Sequence, residues 1–252
     1  MMEPVDLASR PGIMALAHPR QKGFSLENKR FIAMAGNIGC GKTTAAKLIS
    51  QHLGYELFDE PVVDNRFLKD YYQDMRRWSF TLQLEFLIRR VEHHELIRKV
   101  PKSCIQDRTL YEDPEIFAKY LHGLGYMNNR ELDLYHEYFM RLNRELDQPD
   151  LIIILEVDHV DTLLARIRKR GREEERLIEP SFLQGLNAYY STFAQVCERK
   201  YGIPTHRVNV ARLDIRSAED RKTFLAGIEK VLATLPARSA QVHNPTAVEE
   251  PT

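Results

Sequence analysis

Apolar residues fall along this chain in two rhythms. Short uninterrupted runs form the first. Phe31-Ile32-Ala33-Met34-Ala35 and Leu151-Ile152-Ile153-Ile154-Leu155-Glu156-Val157 have the pattern of strands buried on both faces. The second run is the stronger and is expected to be central and parallel. Tyr55–Glu60, Ser103–Asp107 and Thr205–Val210 are weaker strand candidates. The other rhythm is helical. Phe80, Leu84, Leu87 and Val91 recur at three- and four-residue steps, which predicts a long helix from about Ser79 to Lys99, closed by Pro101. Further helices are expected from Thr44 to Leu53 with Gly54 as the stop, and over Glu115–Leu121, Arg130–Leu146 and Pro180–Lys200. A basic helix over Thr162–Lys169 should end at Gly171, and a last one over Ala218–Leu235 should start in a capping box of Ser217 and Asp220. Five strands separated by helices argue for an α/β fold with a parallel sheet and helices on both faces. Residues 30–235 form that domain. Residues 1–29 read as a flexible extension and 236–252 as a disordered tail.

In such a sheet, ligands bind beyond the C-terminal strand ends. Gly36, Glu60 and Asp107 stand at three such ends and should converge. Gly36-Asn37-Ile38-Gly39-Cys40-Gly41-Lys42-Thr43-Thr44 fits the phosphate-loop pattern and lies between a strand and a helix start. Its glycines let backbone N–H groups turn inward, and the helix N-terminus adds partial positive charge. Lys42 would reach the β- and γ-phosphates of a nucleotide and Thr43 would hold Mg²⁺. Glu60, stiffened by Pro61, could take a proton from an attacking hydroxyl, or be an ordinary loop glutamate. Asp107-Arg108 could serve Mg²⁺ and substrate, or be a strand-end ion pair. Arg166, Arg168, Lys169, Arg170 and Arg172 make either an arginine lid over transferring phosphate or a solvated face paired with Glu173, Glu174 and Glu175. Gln83, in an otherwise apolar helix, needs a hydrogen-bond partner if buried, and a nucleobase would serve. His93 and His94 are adjacent and diverge, which argues against a shared metal and places them at the surface.

Composition narrows the partners. Lys plus Arg and Asp plus Glu both number 36, so no overall basic bias favours nucleic acid. No apolar run approaches the ~18 residues of a membrane span. Three scattered cysteines, Cys40, Cys104 and Cys197, suit reduced thiols in a cytoplasm.

Taken together, the phosphate loop, Glu60-Pro61-Val62, Trp78-Ser79-Phe80 with Gln83, Asp107-Arg108-Thr109 and Arg166 through Glu175 resemble the deoxynucleoside kinases, especially the bacterial purine enzymes. The resemblance covers about Phe31 to Val210. It implies a P-loop kinase fold with an arginine lid, a homodimer formed by long helices, and phosphoryl transfer from ATP with Mg²⁺ to a deoxynucleoside 5′-hydroxyl. It casts Glu60 as general base, Arg108 as its partner, Asp107 as an aid to Mg²⁺, and Arg166, Arg170 and Arg172 as the lid. Tyr72 and Glu175 would read the sugar 3′-hydroxyl, Gln83 and Phe117 the base. Arg90 and Asp113 would reach the base's exocyclic groups, which favours deoxyadenosine or deoxyguanosine, with deoxycytidine as the alternative. Phe86 sits where members vary. A nucleoside monophosphate kinase shares the loop and lid but would need extra cations for the acceptor's phosphate. A nucleotide-binding switch needs no acceptor at all, and no Asn-Lys-x-Asp base-reading motif is present.

Overall fold

The two strongest apolar runs become neighbours at the middle of the sheet. A computed structural model of the chain describes residues 29–59, 65–211, 213–215 and 217–236. Strand β1 is Phe31–Gly36 and is buried throughout; β4 is Leu151–Glu156. With β2 (Glu56–Phe58), β3 (Cys104–Gln106) and β5 (Thr205–Asn209) they form a five-stranded sheet of order β2-β3-β1-β4-β5, parallel in every pairing. The middle strand is therefore β1, and β4 lies beside it as an interior strand.

Successive side chains point to opposite faces, and each face has its own core. Ala33, Ala35, Ile152 and Ile154 meet α3 (Met75–Lys99), α5 (Asn129–Asn143) and most of α7 (Pro180–Tyr201). Ile32, Met34, Ile153 and Leu155 meet α1 (Lys42–Leu53), α6 (Val160–Arg170) and α8 (Ala218–Thr234). Small alanines on the first face leave room for bulky partners such as Tyr190 and Phe193. A short α2 (Leu68–Gln73) precedes α3, and a π-helix at Asp113–Ala118 runs into α4 (Lys119–Gly123).

The local punctuation explains most boundaries. Gly54 and Gly171 end α1 and α6 in left-handed geometry, with φ of 69° and 73°. Asn128 and Glu131 make a reciprocal capping box on α5. The box expected at α8 is only half formed. Ser217 accepts from the Asp220 N–H, while the Asp220 carboxylate accepts from the Asp214 N–H instead.

Two expectations need correction on α3. It starts at Met75 rather than Ser79, because the Asp74 side chain caps the Arg77 N–H. Its buried stripe is also different. Gln83, Leu87, Arg90, His94 and Ile97 are buried, whereas Phe80, Leu84 and Val91 are only partly so. His94 is thus not a surface residue. It is 3% exposed and packs edge-on against Phe31 at 5.1 Å, and burial holds its imidazole down at about 4. Among the described residues no helix is long and apolar enough to cross a membrane. The terminal extensions, residues 1–28 and 237–252, and Glu60 with Pro61 and Val62 lie outside the described residues.

Candidate active site

The phosphate loop is built by backbone geometry that few side chains permit. Gly36, Gly39 and Gly41 all have positive φ, at 142°, 81° and 105°. A Cβ on Gly36 would meet the Leu155 carbonyl oxygen at 2.6 Å, and one on Gly39 the Leu163 carbonyl oxygen at 2.8 Å. Gly41 then caps α1, so the helix N-terminus points its free N–H groups into the loop. The Asn37 amide steadies the curve, donating to the Leu183 carbonyl at 2.9 Å and to Asn187 Oδ1 at 2.7 Å, while its oxygen accepts from the Ile38 N–H. Lys42 folds over its own loop and donates to the carbonyls of Gly36 at 2.6 Å and Asn37 at 3.1 Å. Cys40 is buried, which raises its thiol pKa and keeps it protonated; it is a packing residue there.

Because β3 pairs with β1, the residue after β3 reaches the same loop. Thr43 Oγ1 donates to Asp107 Oδ2 at 2.5 Å. Hydroxyl and carboxylate are hard oxygen donors, and Mg²⁺ is bound by one or two such groups together with phosphates and water. Thr43 and Asp107 therefore fit this ion. Arg108 follows in a left-handed conformation, φ 74°, the one described non-glycine residue with positive φ. Its guanidinium lies 4.7 Å over the Phe117 ring.

A cavity of about 920 Å³ runs from this loop to the inner face of α3. Tyr72, Gln83, Phe86, Arg90, Asp113 and Phe117 line that far end. Arg90 pairs with Asp113 at 2.9 Å, both almost fully buried, and the Arg90 guanidinium lies 4.9 Å over Phe86. Tyr135 is fully buried near this pair; burial, and then the Asp113 charge, push its hydroxyl pKa well above the ordinary value. Gln83 is 3% exposed, and its Oε1 has no hydrogen-bond partner among the described residues. A buried orphan acceptor is costly unless something donates to it. The π-helix that carries Asp113 and Phe117 is pinned from behind. Glu115 accepts from Lys119 at 2.5 Å, Lys200 at 2.6 Å and Tyr201 at 2.5 Å. Burial works against its charge, yet these donors hold its carboxyl below the usual range.

The basic stretch on and after α6 divides by face. Arg166 donates to the Cys40 carbonyl at 2.9 Å and the Val210 carbonyl at 3.2 Å. Past the Gly171 cap, Arg172 turns back, and Glu175 receives both Arg170 at 2.6 Å and Arg172 at 3.4 Å. Arg168 is exposed on another side and is not part of this group. All three lid candidates line the cavity, as does Glu175.

Of the residues picked out in the sequence, then, the fold gathers Ile38 to Thr44 of the phosphate loop, Asp107, Arg108, Tyr72, Gln83, Arg90, Asp113, Phe117, Arg166, Arg170, Arg172 and Glu175 around one cavity, while Gly36 and Asn37 do not line it. Glu60 falls outside the described residues, although its neighbour Asp59 lines the cavity. Two features went unread. The segment after β5, including Val210 and Asp214, also lines the cavity, and nothing in its composition signals this. Glu112 is fully buried behind the site; its only sequence signal was a spacing of four from Arg108.

The comparisons agree with one another. The deoxynucleoside kinase profile matches residues 32–233. A deoxyadenosine kinase of Dictyostelium discoideum is 36% identical over 178 residues, 71% of either chain. A deoxyadenosine/deoxycytidine kinase of Bacillus subtilis is 33% identical over 174 residues, covering 68% of this chain and 80% of its own. The structure of deoxyadenosine kinase from M. mycoides with bound dATP overlays 81% of this chain and 100% of that one, with a TM-score of 0.69 at 33% identity. A parallel five-stranded sheet, a phosphate loop at its central strand and this sequence similarity lead to one statement: the chain belongs to the deoxynucleoside kinase family.

Proposed function

We propose that this kinase transfers the γ-phosphoryl group of ATP to the 5′-hydroxyl of a purine deoxynucleoside, deoxyadenosine or deoxyguanosine, in nucleotide salvage. The observation that carries this reading is the continuity of the cavity from Lys42 and Thr43 to Gln83, Arg90 and Asp113. One end suits a triphosphate and the other a flat, polar-edged ring. The ring would lie against Phe117, its edge toward the Gln83 amide and the Arg90–Asp113 pair. Tyr72 and Glu175 would take the sugar 3′-hydroxyl. That role gives Glu175 two tasks, since it already receives Arg170 and Arg172.

In the reaction Glu60 accepts the 5′-hydroxyl proton as the new O–P bond forms, and Arg108 orients that hydroxyl. Lys42 leaves the Gly36 and Asn37 carbonyls for the β- and γ-phosphates. Arg166, Arg170 and Arg172 follow the charge as it moves with the phosphoryl group. Thr43 and Asp107 would hold Mg²⁺, which would supply positive charge to offset the negative charge of the phosphates. Deoxycytidine is the second reading; the relative from Bacillus subtilis is named for both deoxyadenosine and deoxycytidine. Residues 30–235 act as the catalytic domain of a cytoplasmic homodimer. Ile88 and Leu96 on α3 and Leu134 and Tyr138 on α5 are exposed apolar side chains on two long helices, which supports the dimer.

The test is an acceptor panel of the four deoxynucleosides and their ribose counterparts. A purine deoxynucleoside should give the highest kcat/KM, at least about tenfold above thymidine, because thymine has no exocyclic amine to donate to Asp113. Preference for thymidine would remove both residues from base recognition.

A further inference from the structure

Glu112 does not line the cavity, yet it touches both halves of the site. It is fully buried, an expensive place for a carboxylate unless donors surround it. Four do. Oε1 accepts from the Gly36 N–H at 3.0 Å and the Tyr190 hydroxyl at 2.5 Å. Oε2 accepts from the Thr109 N–H at 2.9 Å, and the Arg108 guanidinium stands 3.6 Å from Oε1. Burial, with Glu112 next, pushes the Tyr190 pKa well above its ordinary value, so its hydroxyl stays a donor. It also lies 2.9 Å from the Gly36 carbonyl oxygen, the same oxygen that receives Lys42.

These contacts sort into two groups. Gly36 opens the phosphate loop, whereas Arg108 and Thr109 belong to the turn after β3 that faces the acceptor. The turn is strained, since a left-handed arginine persists only where its surroundings enforce it. The Glu112 carboxylate and the Phe117 ring both contact the Arg108 side chain.

We propose that Glu112 is a positioning residue that fixes the Arg108 turn relative to the phosphate loop, and so sets the separation between acceptor hydroxyl and donor phosphate. This rests on the kinase reading given above, in which Arg108 orients the 5′-hydroxyl. In-line transfer needs the reacting atoms about 3–3.5 Å apart, and a misplacement of about 1 Å can cost a hundredfold. One carboxylate bridging both groups is suited to that tolerance. Glu112 does not line the cavity, so its loss should act on turnover and leave binding nearly unchanged.

The experiment is a double-mutant cycle of Glu112→Gln with Arg108→Ala. The amide keeps the volume but puts a donor where the carboxylate accepted, so at least one of the four donors loses its partner. Glu112→Gln should lower kcat roughly 10- to 100-fold. The KM values for ATP and deoxynucleoside should stay within about threefold. In the Arg108→Ala background the same change should cost less than about threefold more, because its effect passes through Arg108. If Glu112→Gln does not fold, Glu112→Asp enters the cycle instead. It keeps the charge but is too short to reach both groups, and it should show the same fall in kcat and the same coupling. Wild-type turnover in the variant that folds, or costs that multiply with that of Arg108→Ala, would overturn the proposal. Undiminished turnover in Arg108→Ala alone would overturn it too, and would also remove Arg108 from the underlying mechanism.

Discussion

Glu60→Gln should lower turnover by about 1,000-fold while changing the dissociation constant of the deoxynucleoside only a few-fold. The glutamine is isosteric and still accepts a hydrogen bond from the 5′-hydroxyl, so the substrate can still be held. What it cannot do is take the proton. An alcohol is a very weak acid, and the cost of that loss appears as the O–P bond forms. β2 pairs with β3, whose end delivers Asp107 to the phosphate loop, and Asp59 lines the cavity. Steady-state kinetics together with equilibrium binding check this outcome. Near-normal turnover would take Glu60 out of the mechanism.

Lys42→Met should lower kcat by about 1,000-fold or more, with a weaker effect on ATP affinity. Phosphoryl transfer offers the protein little covalent work, so positioned positive charge supplies most of the acceleration. Lys42 is buried, and its Nζ rests on two loop carbonyls that can be exchanged for phosphate oxygens over a short distance. Methionine fills the same space without charge or donor. Single-turnover measurements separate the chemical step from binding, and thermal unfolding shows whether the fold is kept. A variant within about tenfold of wild type would mean that the loop's backbone N–H groups suffice.

Much of the fold was legible because its signals are local. The loop motif, the apolar runs of β1 and β4 and the glycines at 54 and 171 each carry their reason within a few residues. The short strands β2 and β3 were found but drawn too long, since three-residue strands are bounded by their neighbours in the sheet. The inner face of α3 was misplaced for a physical reason. Gln83, Arg90 and His94 are polar yet lie on it, so a search for apolar periodicity chose Phe80, Leu84 and Val91. That same mixture is what a base-binding wall would need. Glu112 was invisible because its meaning lies in contacts with Gly36 and Tyr190, 76 and 78 positions away. The arginine cluster divides between solvent and cavity. Arg168 is exposed, while Arg166, Arg170 and Arg172 line the cavity.

In the proposed reaction the phosphate loop serves a sugar hydroxyl across one shared cavity. The most direct measurement follows ATP consumption by the purified protein with and without a deoxynucleoside, and identifies the product. Consumption should be negligible without an acceptor, with stoichiometric formation of ADP and the deoxynucleoside 5′-monophosphate once deoxyadenosine or deoxyguanosine is added. ATP consumption independent of any acceptor, or dependent on a nucleoside monophosphate instead, would contradict that reaction.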